Sequence, residues 1–260
     1  PSDRIELALE IEADRMLNST FDEQEVQSER TVIISEREGL ENFPQFHLAE
    51  ELNAAAFKVH PYRHETIGWM CDLKSMTRHD LYTFYRTYYV PNNAVLILIG
   101  DFKTEKMLDT VQRLFGGIPA GPEPPSVRAV EPPQQGERRL IVRRPGGAAY
   151  VSIGFHAPAA TDPDFWPTFV LACILSGVGS LNVGSPGASG KSARLYRALV
   201  EKRLAVDANV YYGWSKDPDL FTVTATAWQG VSPARLEAAI LRELDRLASE
   251  APAADEMASI

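Results

Sequence analysis

Two glutamates in the first part of the chain could act together on one site. Glu29 and Glu36 lie seven residues apart in the stretch E-R-T-V-I-I-S-E, which has the pattern of a helix. Seven residues bring a helix to within roughly 20° of two full turns, so both carboxylates should share one face, about 10 Å apart along the axis. Carboxylates aimed at one site can bind a metal or move a proton. However, Arg30, Arg37 and Glu38 also give this helix an ordinary charged face, and spacing alone favours solvated charges.

A second candidate is the glycine- and serine-rich segment at residues 176–192, which could bind phosphate. It ends in Gly190-Lys191-Ser192, the last three positions of the pattern G-x-x-x-x-G-K-[ST]. However, Ser185 stands where that pattern requires its first glycine, and Pro186 follows it. The preceding residues also have the pattern of a helix, whereas a phosphate-binding loop follows a strand. A flexible loop is therefore favoured, and a nucleotide-binding protein is kept as an alternative.

The five histidines form no recognisable metal or catalytic motif. His60 and His64 have H-x3-H spacing, but Pro61 between them disfavours a helical pair. His47 begins a near match to H-x-x-E-H, in which Glu51 occupies the position of the second histidine. A zinc site there would have only one imidazole. Nothing resembles the nucleophile motif G-x-S-x-G either, so we expect structural or exposed histidines.

Composition limits the classes of function that remain. The chain has 260 residues, 45% of them hydrophobic, and a net charge of −9, which is typical of one or two globular domains. The acidic balance argues against nucleic acid and anionic membranes. Cys71 and Cys173 are too few for a disulfide framework or a cysteine-type zinc site. No apolar run reaches the roughly 18–20 residues of a membrane span and no targeting segment is visible. The compartment therefore stays unknown, and for a bacterial protein it would be the periplasm or the cytoplasm.

Hydrophobic periodicity and turn signals predict the elements that position these groups. Helices are expected at about residues 4–17, 23–38, 45–57, 78–90, 104–115, 163–175, 192–203 and 233–247. Strands are expected at about residues 94–99, 140–144, 150–156, 206–214 and 220–227. Thr77 and Asp80 form a capping box that should begin the fourth of these helices.

The order of the elements predicts an α+β fold with two related domains, each a mixed or antiparallel sheet packed with helices. Residues 1–118 form the first domain and residues 137–260 the second, joined by a proline-rich linker at 119–136. The order of strand, turn, cap and helix at 94–115 recurs at 220–248, which suggests that the two halves are structural relatives.

Several stretches, taken in order, resemble the pitrilysin/insulinase class of zinc metallopeptidases, which includes the mitochondrial-processing-peptidase-like subunits. The matching stretches are F-D-E-Q-E-V-Q-S-E-R-T-V-I-I-S-E at 21–36, H-P-Y-R-H-E-T-I-G-W at 60–69, and residues 75–102, 114–119 and 191–205. They cover nearly the whole chain. The resemblance implies a pitrilysin-like fold, in which residues 1–118 are the C-terminal part of the zinc-site domain and residues 137–260 are a second pitrilysin-like domain. It also implies zinc-dependent hydrolysis of peptides or unfolded polypeptides.

The resemblance also assigns separate roles to the two glutamates. The family's zinc ligands are two histidines of an inverted H-x-x-E-H helix and a distal glutamate that ends the pattern E-R-x-x-x-x-x-E. That distal ligand matches Glu36, and the glutamate that opens the pattern matches Glu29, which should lie near the metal and support catalysis. With this resemblance, the pair of functional carboxylates is favoured over two surface charges.

One motif of the family is missing. No H-x-x-E-H occurs in the 260 residues, and only 35 residues precede Glu36. Because a catalytic zinc takes three protein ligands, we expect this chain to be an inactive fragment of a zinc metalloendopeptidase subunit, with zinc bound only by its full-length parent. The alternative within the family is a non-catalytic scaffold subunit of the core type.

A second departure concerns an arginine and a tyrosine that many members place in the half without zinc, in a pattern like L-R-E-x-x-G-L-A-Y. The corresponding residues 199–206 read L-V-E-K-R-L-A-V, one residue shorter, with Val200 and Val206 at the two functional positions. This resembles the zinc-carrying subunits of two-chain members. It implies a heterodimer, in which a homologous partner subunit supplies the Arg/Tyr pair.

Overall fold

The computed structural model describes residues 2–177 and 190–258. Its α-helices are α1 (Ile5–Asn18), α2 (Glu23–Leu40), α3 (Pro44–Ala56), α4 (Met70–Ser75), α5 (Arg78–Tyr88), α6 (Thr104–Phe115), α7 (Phe165–Ser176), α8 (Pro233–Ser249) and α9 (Ala254–Ala258). The strands are β1 (Tyr150–Ala157), β2 (Ala205–Tyr211) and β3 (Asp219–Ala227). In the described part of the chain, no helix combines the length and apolar character needed to cross a membrane.

The three strands form an antiparallel sheet in the order β1-β3-β2. The expected α+β class is confirmed, since helices are combined with an antiparallel sheet. Two predicted helix starts are also confirmed in detail. Thr77 and Asp80 make both hydrogen bonds of the capping box before α5, and the Ser232 hydroxyl accepts the Arg235 N–H at the start of α8. These starts depend on residues only three positions apart, so local sequence is enough to specify them.

Contacts within the chain define two compact units. The first unit comprises Pro1–Glu38 and Ile67–Arg128, and the second comprises Gly39–Thr66 and Ala129–Ile260. Each unit thus draws on two separate stretches of sequence. The domain limits predicted at 1–118 and 137–260, with a linker at 119–136, stay a prediction.

The second unit has an apolar core built on one face of its sheet. Val223 of the central strand β3 is fully buried and pairs with Ile153 of β1 and Val210 of β2. Leu236 and Ile240 of α8 are fully buried in the same cluster. Burying a side chain of this size typically stabilises a fold by about 1.5–3 kcal/mol. The packing of α8 on the sheet therefore stabilises this unit.

Two of the predicted strands are wrong. Residues 94–99 and 140–144 have no strand structure, and no strand pairs with them among the described residues. Val95, Ile97 and Ile99 are 86%, 73% and 92% exposed instead of buried. A strand needs backbone partners, which an apolar run does not identify. The suggested recurrence of a strand–helix order at 94–115 fails for the same reason.

Glu131 anchors the loop that follows α3 in the second unit. Its carboxylate accepts the backbone N–H groups of Lys58, Val59 and His60, with N–O distances of 2.7, 2.9 and 3.1 Å. Burial disfavours the charged form, but the three hydrogen bonds and the nearby Arg138 outweigh it and lower the pKa of Glu131 to about 2. Arg138 itself donates to two carbonyl oxygens at the C-terminal end of α3, so both charges fix the same loop.

We predict that Glu131→Gln destabilises the protein in a pH-dependent way. A folded-state pKa below the usual 4.5 means that the carboxylate stabilises the fold above pH 4.5 and loses this contribution as the pH falls toward 2. Urea unfolding at pH 7 should show that the free energy of unfolding of the variant is about 1–3 kcal/mol below that of the wild type. This difference should shrink as the pH falls from 4.5 to 2. The exposed Glu123→Gln in the same segment is the control. A difference from wild type that is equal at pH 7 and pH 3 would contradict this assignment.

Candidate functional site

Helix α2 carries both glutamates that the sequence singled out. It begins after Asp22, whose carboxylate accepts the N–H groups of Gln24 and Glu25 at 2.9 and 3.2 Å. Glu29 and Glu36 are exposed and lie two turns apart in this helix. The structure therefore places the two carboxylates on one accessible face of α2.

The arginine that follows each glutamate faces a side of α2 about 100° away from that glutamate. Arg30 donates from Nη1 to the carbonyl oxygen of Met76 at 2.6 Å. Arg37 donates from Nη1 to the carbonyl oxygen of Gly68, also at 2.6 Å, and is only 3% exposed. Sequence reasoning assigned both arginines to a solvated face, and this is wrong for Arg37. The doublet Glu-Arg, repeated after seven residues, was the signal that could have identified them.

Glu29 also lines a cavity of about 1000 Å³ in the first unit, between α2 and the segment of α4 and α5. The apolar lining includes Val26, Ile33, Leu73, Met76 and Leu81. Glu25 adds a second carboxylate, and Glu36 is outside the lining. The two glutamates thus differ in their relation to this cavity, because Glu29 borders it and Glu36 does not.

The residues that the structure describes do not fit a zinc ion on their own. Among the described residues, no three His, Cys, Asp or Glu side chains come together as a metal site. Two of the five histidines are buried in the second unit and have structural contacts. His47 bonds the carbonyl oxygen of Glu41 through Nε2, and His60 accepts the Tyr62 N–H at Nδ1. Glu36 alone falls short of the three protein ligands of a catalytic zinc.

Val200 and Val206, which the resemblance predicts at the positions of the Arg/Tyr pair, flank a tight helix end. Val200 ends the π-helical turn Tyr196–Val200 and is half-buried, while Val206 in β2 is 54% exposed. Between them, Leu204 N–H donates to Leu199 O and Arg203 N–H to Val200 O, at 2.8 and 3.0 Å, which is the Schellman pattern. Arg203 has a φ of +54°, so it adopts the conformation that glycine usually takes at this position.

The alternative phosphate site gains no support from the described residues. Ser185 and Pro186 lie outside the described residues. The last element before that segment is helix α7, whereas a phosphate-binding loop follows a strand. Gly190 donates its N–H to the carbonyl oxygen of Ser176 at 3.1 Å, which commits this amide to the protein itself.

Two family models match the chain and together cover nearly all of it. Residues 1–68 match insulinase (peptidase family M16), and residues 75–260 match the peptidase M16 inactive domain. The chain therefore belongs to peptidase family M16, and the resemblance to pitrilysin-type peptidases is confirmed.

Individual relatives agree with this assignment. The chain is 28% identical to a probable mitochondrial-processing peptidase subunit beta of Arabidopsis thaliana, over 95% of this chain and 46% of that protein. It is also 28% identical to the zinc protease PqqE of Helicobacter pylori, over 94% of this chain and 53% of that protein. A crystal structure of a protease from Helicobacter pylori has a TM-score of 0.85 and 25% identity, over 98% of this chain and 59% of that one. The chain thus spans about half the length of these curated relatives.

We predict that Arg203→Gly stabilises the protein. A non-glycine residue in the left-handed region destabilises the fold by roughly 1–2 kcal/mol, and glycine removes this strain. The greater conformational freedom of glycine in the unfolded chain offsets part of the gain in stability. The expected net gain is about 0.5–1 kcal/mol, measured by urea unfolding followed by circular dichroism. Arg203→Ala removes the same charge but keeps the strain, so it is the matched control. A gain of equal size in both variants would assign the effect to charge instead of backbone conformation.

Proposed function

We propose that this chain is part of a zinc-dependent metalloendopeptidase subunit and that Glu36 is one of the zinc ligands. The observation that carries the proposal is the exposed carboxylate of Glu36 on a helix that Arg37 anchors on a side about 100° away. The zinc protease PqqE, a relative at 28% identity, supports the choice of metal. The remaining ligands would come from outside the described residues, so the 260-residue chain alone should be inactive.

Glu29 has a separate role in this proposal, as a carboxylate that supports catalysis without holding the metal. It borders the cavity of the first unit, where an acidic edge meets an apolar lining. A peptide or an unfolded polypeptide offers both backbone amides and apolar side chains to such a surface. This is the class of substrate that we assign.

The competing function is a scaffold subunit of the same family without catalysis. Both functions are consistent with the absence of a three-ligand group among the described residues. The two functions differ in a measurable property, because only the peptidase requires zinc in the full-length gene product.

We expect Glu36→Gln and Glu29→Gln to have different effects in the full-length gene product. Glu36→Gln should lose most of its zinc, because a neutral amide replaces an anionic ligand. Glu29→Gln should keep its zinc and lose about 10–100-fold in hydrolysis of an unfolded protein substrate, the usual range for groups beside a metal site. Zinc is measured by atomic absorption, with the exposed Glu23→Gln of the same helix as the control. Equal zinc loss in both variants would contradict the assigned roles, and a zinc-free wild-type protein would establish the scaffold.

We further propose that activity requires a second, homologous subunit that supplies the Arg/Tyr pair. Val200 and Val206 offer no side-chain hydrogen-bond donor, and losing one donor to the developing oxyanion typically costs about 10²–10³-fold in rate. One relative of this chain is itself named as a subunit.

Activity of the full-length gene product should therefore rise by at least about 10²-fold when the partner is added. The measurement is peptide hydrolysis by each chain alone and by the mixture. The double variant Val200→Arg/Val206→Tyr is the companion test, since it restores both donors in the chain itself. Full activity of the wild-type chain alone, unchanged by the partner, would rule out this requirement.

A further inference from the structure

Helix α2 is held in place mainly by polar contacts. Among its 18 residues, the fully buried one is Arg37, while its apolar residues remain partly or largely exposed. Val32, which lies between the two glutamates, is 56% exposed. A helix with so little buried apolar surface can roll about its axis unless other groups fix it.

Three guanidinium groups supply that fixation within the first unit. Arg37 binds the Gly68 carbonyl oxygen and lies 5.9 Å from the ring centre of Trp69. Arg30, two turns earlier in α2, binds the Met76 carbonyl oxygen. In each doublet the arginine follows the glutamate by one residue, or about 100° around the helix. The contacts therefore fix the side of α2 that carries the arginines and leave the side with the glutamates accessible.

The third guanidinium fixes the turn that precedes α2. Arg78 donates to the carbonyl oxygens of Thr20 and Phe21 at 2.6 and 2.9 Å, and it lies 4.5 Å from the ring centre of Tyr82. Phe21 has a φ of +50°, so this turn needs external support to keep its conformation. The beginning and the middle of α2 are thus anchored independently.

We propose that Arg37 is a positioning residue, which fixes the direction of the Glu36 carboxylate, and that Arg30 does the same for Glu29. The proposal rests on the proposed function for its catalytic meaning, because a functional carboxylate needs such precision and a surface charge does not. A carboxylate lies roughly 6 Å from the helix axis, so a roll of about 5° moves it by about 0.5 Å. That is the tolerance within which a functional side chain must be held.

The planar guanidinium is suited to this task because it combines two kinds of contact. It donates directed hydrogen bonds to a carbonyl oxygen and stacks on an aromatic ring at the same time. The Gly68 carbonyl that accepts this hydrogen bond belongs to a residue with a φ of +78°, a conformation that residues other than glycine rarely adopt. Lysine could provide the charge and one hydrogen bond, but it would lack the planar contact with Trp69.

The test measures the position of α2 directly and needs neither zinc nor activity. Nitroxide labels are placed at Glu36→Cys and at the native, exposed Cys71, in a Cys173→Ala background that removes the buried thiol. Electron paramagnetic resonance then gives the distribution of the distance between the labels in the 260-residue chain. Arg37→Met should widen this distribution at least about two-fold while the helical circular dichroism is kept, and Arg37→Lys should restore part of the narrow distribution.

Arg86→Met is the matched control, because Arg86 also binds a backbone carbonyl in the first unit, that of Leu17, but has no bond to α2. An unchanged distribution in Arg37→Met, or equal widening in Arg86→Met, would overturn the proposal. If Arg37→Met does not fold, the same distance measurement is made on Arg30→Met, with labels at Glu29→Cys and Cys71. A widened distribution would then support the positioning role for Arg30, and an unchanged one would overturn it. The zinc assignment is tested separately by the zinc content of Glu36→Gln. Full zinc retention in that variant would contradict the assignment without changing the result of the distance measurement.

Discussion

The buried guanidinium of Arg37 is the contact on which the orientation of the candidate site depends. A charge with 3% exposure is costly to bury unless its hydrogen bonds are satisfied, and the Gly68 carbonyl and the Trp69 ring provide this compensation. Once Arg37 is fixed on that side of α2, the residue before it must face about 100° away. The exposure of Glu36 therefore follows from the burial of its neighbour.

The two units are stabilised by different kinds of interaction. The second unit has a continuous apolar core of sheet and helices, in which Leu199, Val223 and Leu236 are fully buried. In the first unit, α5 and α6 have no fully buried residue, and the contacts to α2 are made by arginines and backbone carbonyls. Hydrogen bonds of this kind contribute about 1–3 kcal/mol each and have strict geometry. The position of α2 in the first unit thus depends on single polar residues.

The sequence predicted those features that depend on near neighbours and missed those that depend on distant ones. The capping box at Thr77, the cap at Ser232 and the helical face of Glu29 and Glu36 each follow from spacings of three to seven residues. The strand predicted at 94–99 failed, because its hydrogen-bond partners would have to come from another part of the chain. The burial of Arg37 was missed for a related reason, since its partners lie more than 30 residues further along the chain.

The repeated Glu-Arg doublet combines two requirements that a functional carboxylate must meet. The carboxylate has to be accessible to its ligand, and the backbone that carries it has to be immobile. A buried glutamate would meet the second requirement but would lose access and the free energy of its hydration. In α2 the two tasks are divided between adjacent residues, so that Arg37 is buried for rigidity while Glu36 stays exposed. Arg30 is only partly buried, but it also binds a backbone carbonyl oxygen while Glu29 beside it is exposed, so both doublets pair an anchored arginine with an accessible carboxylate.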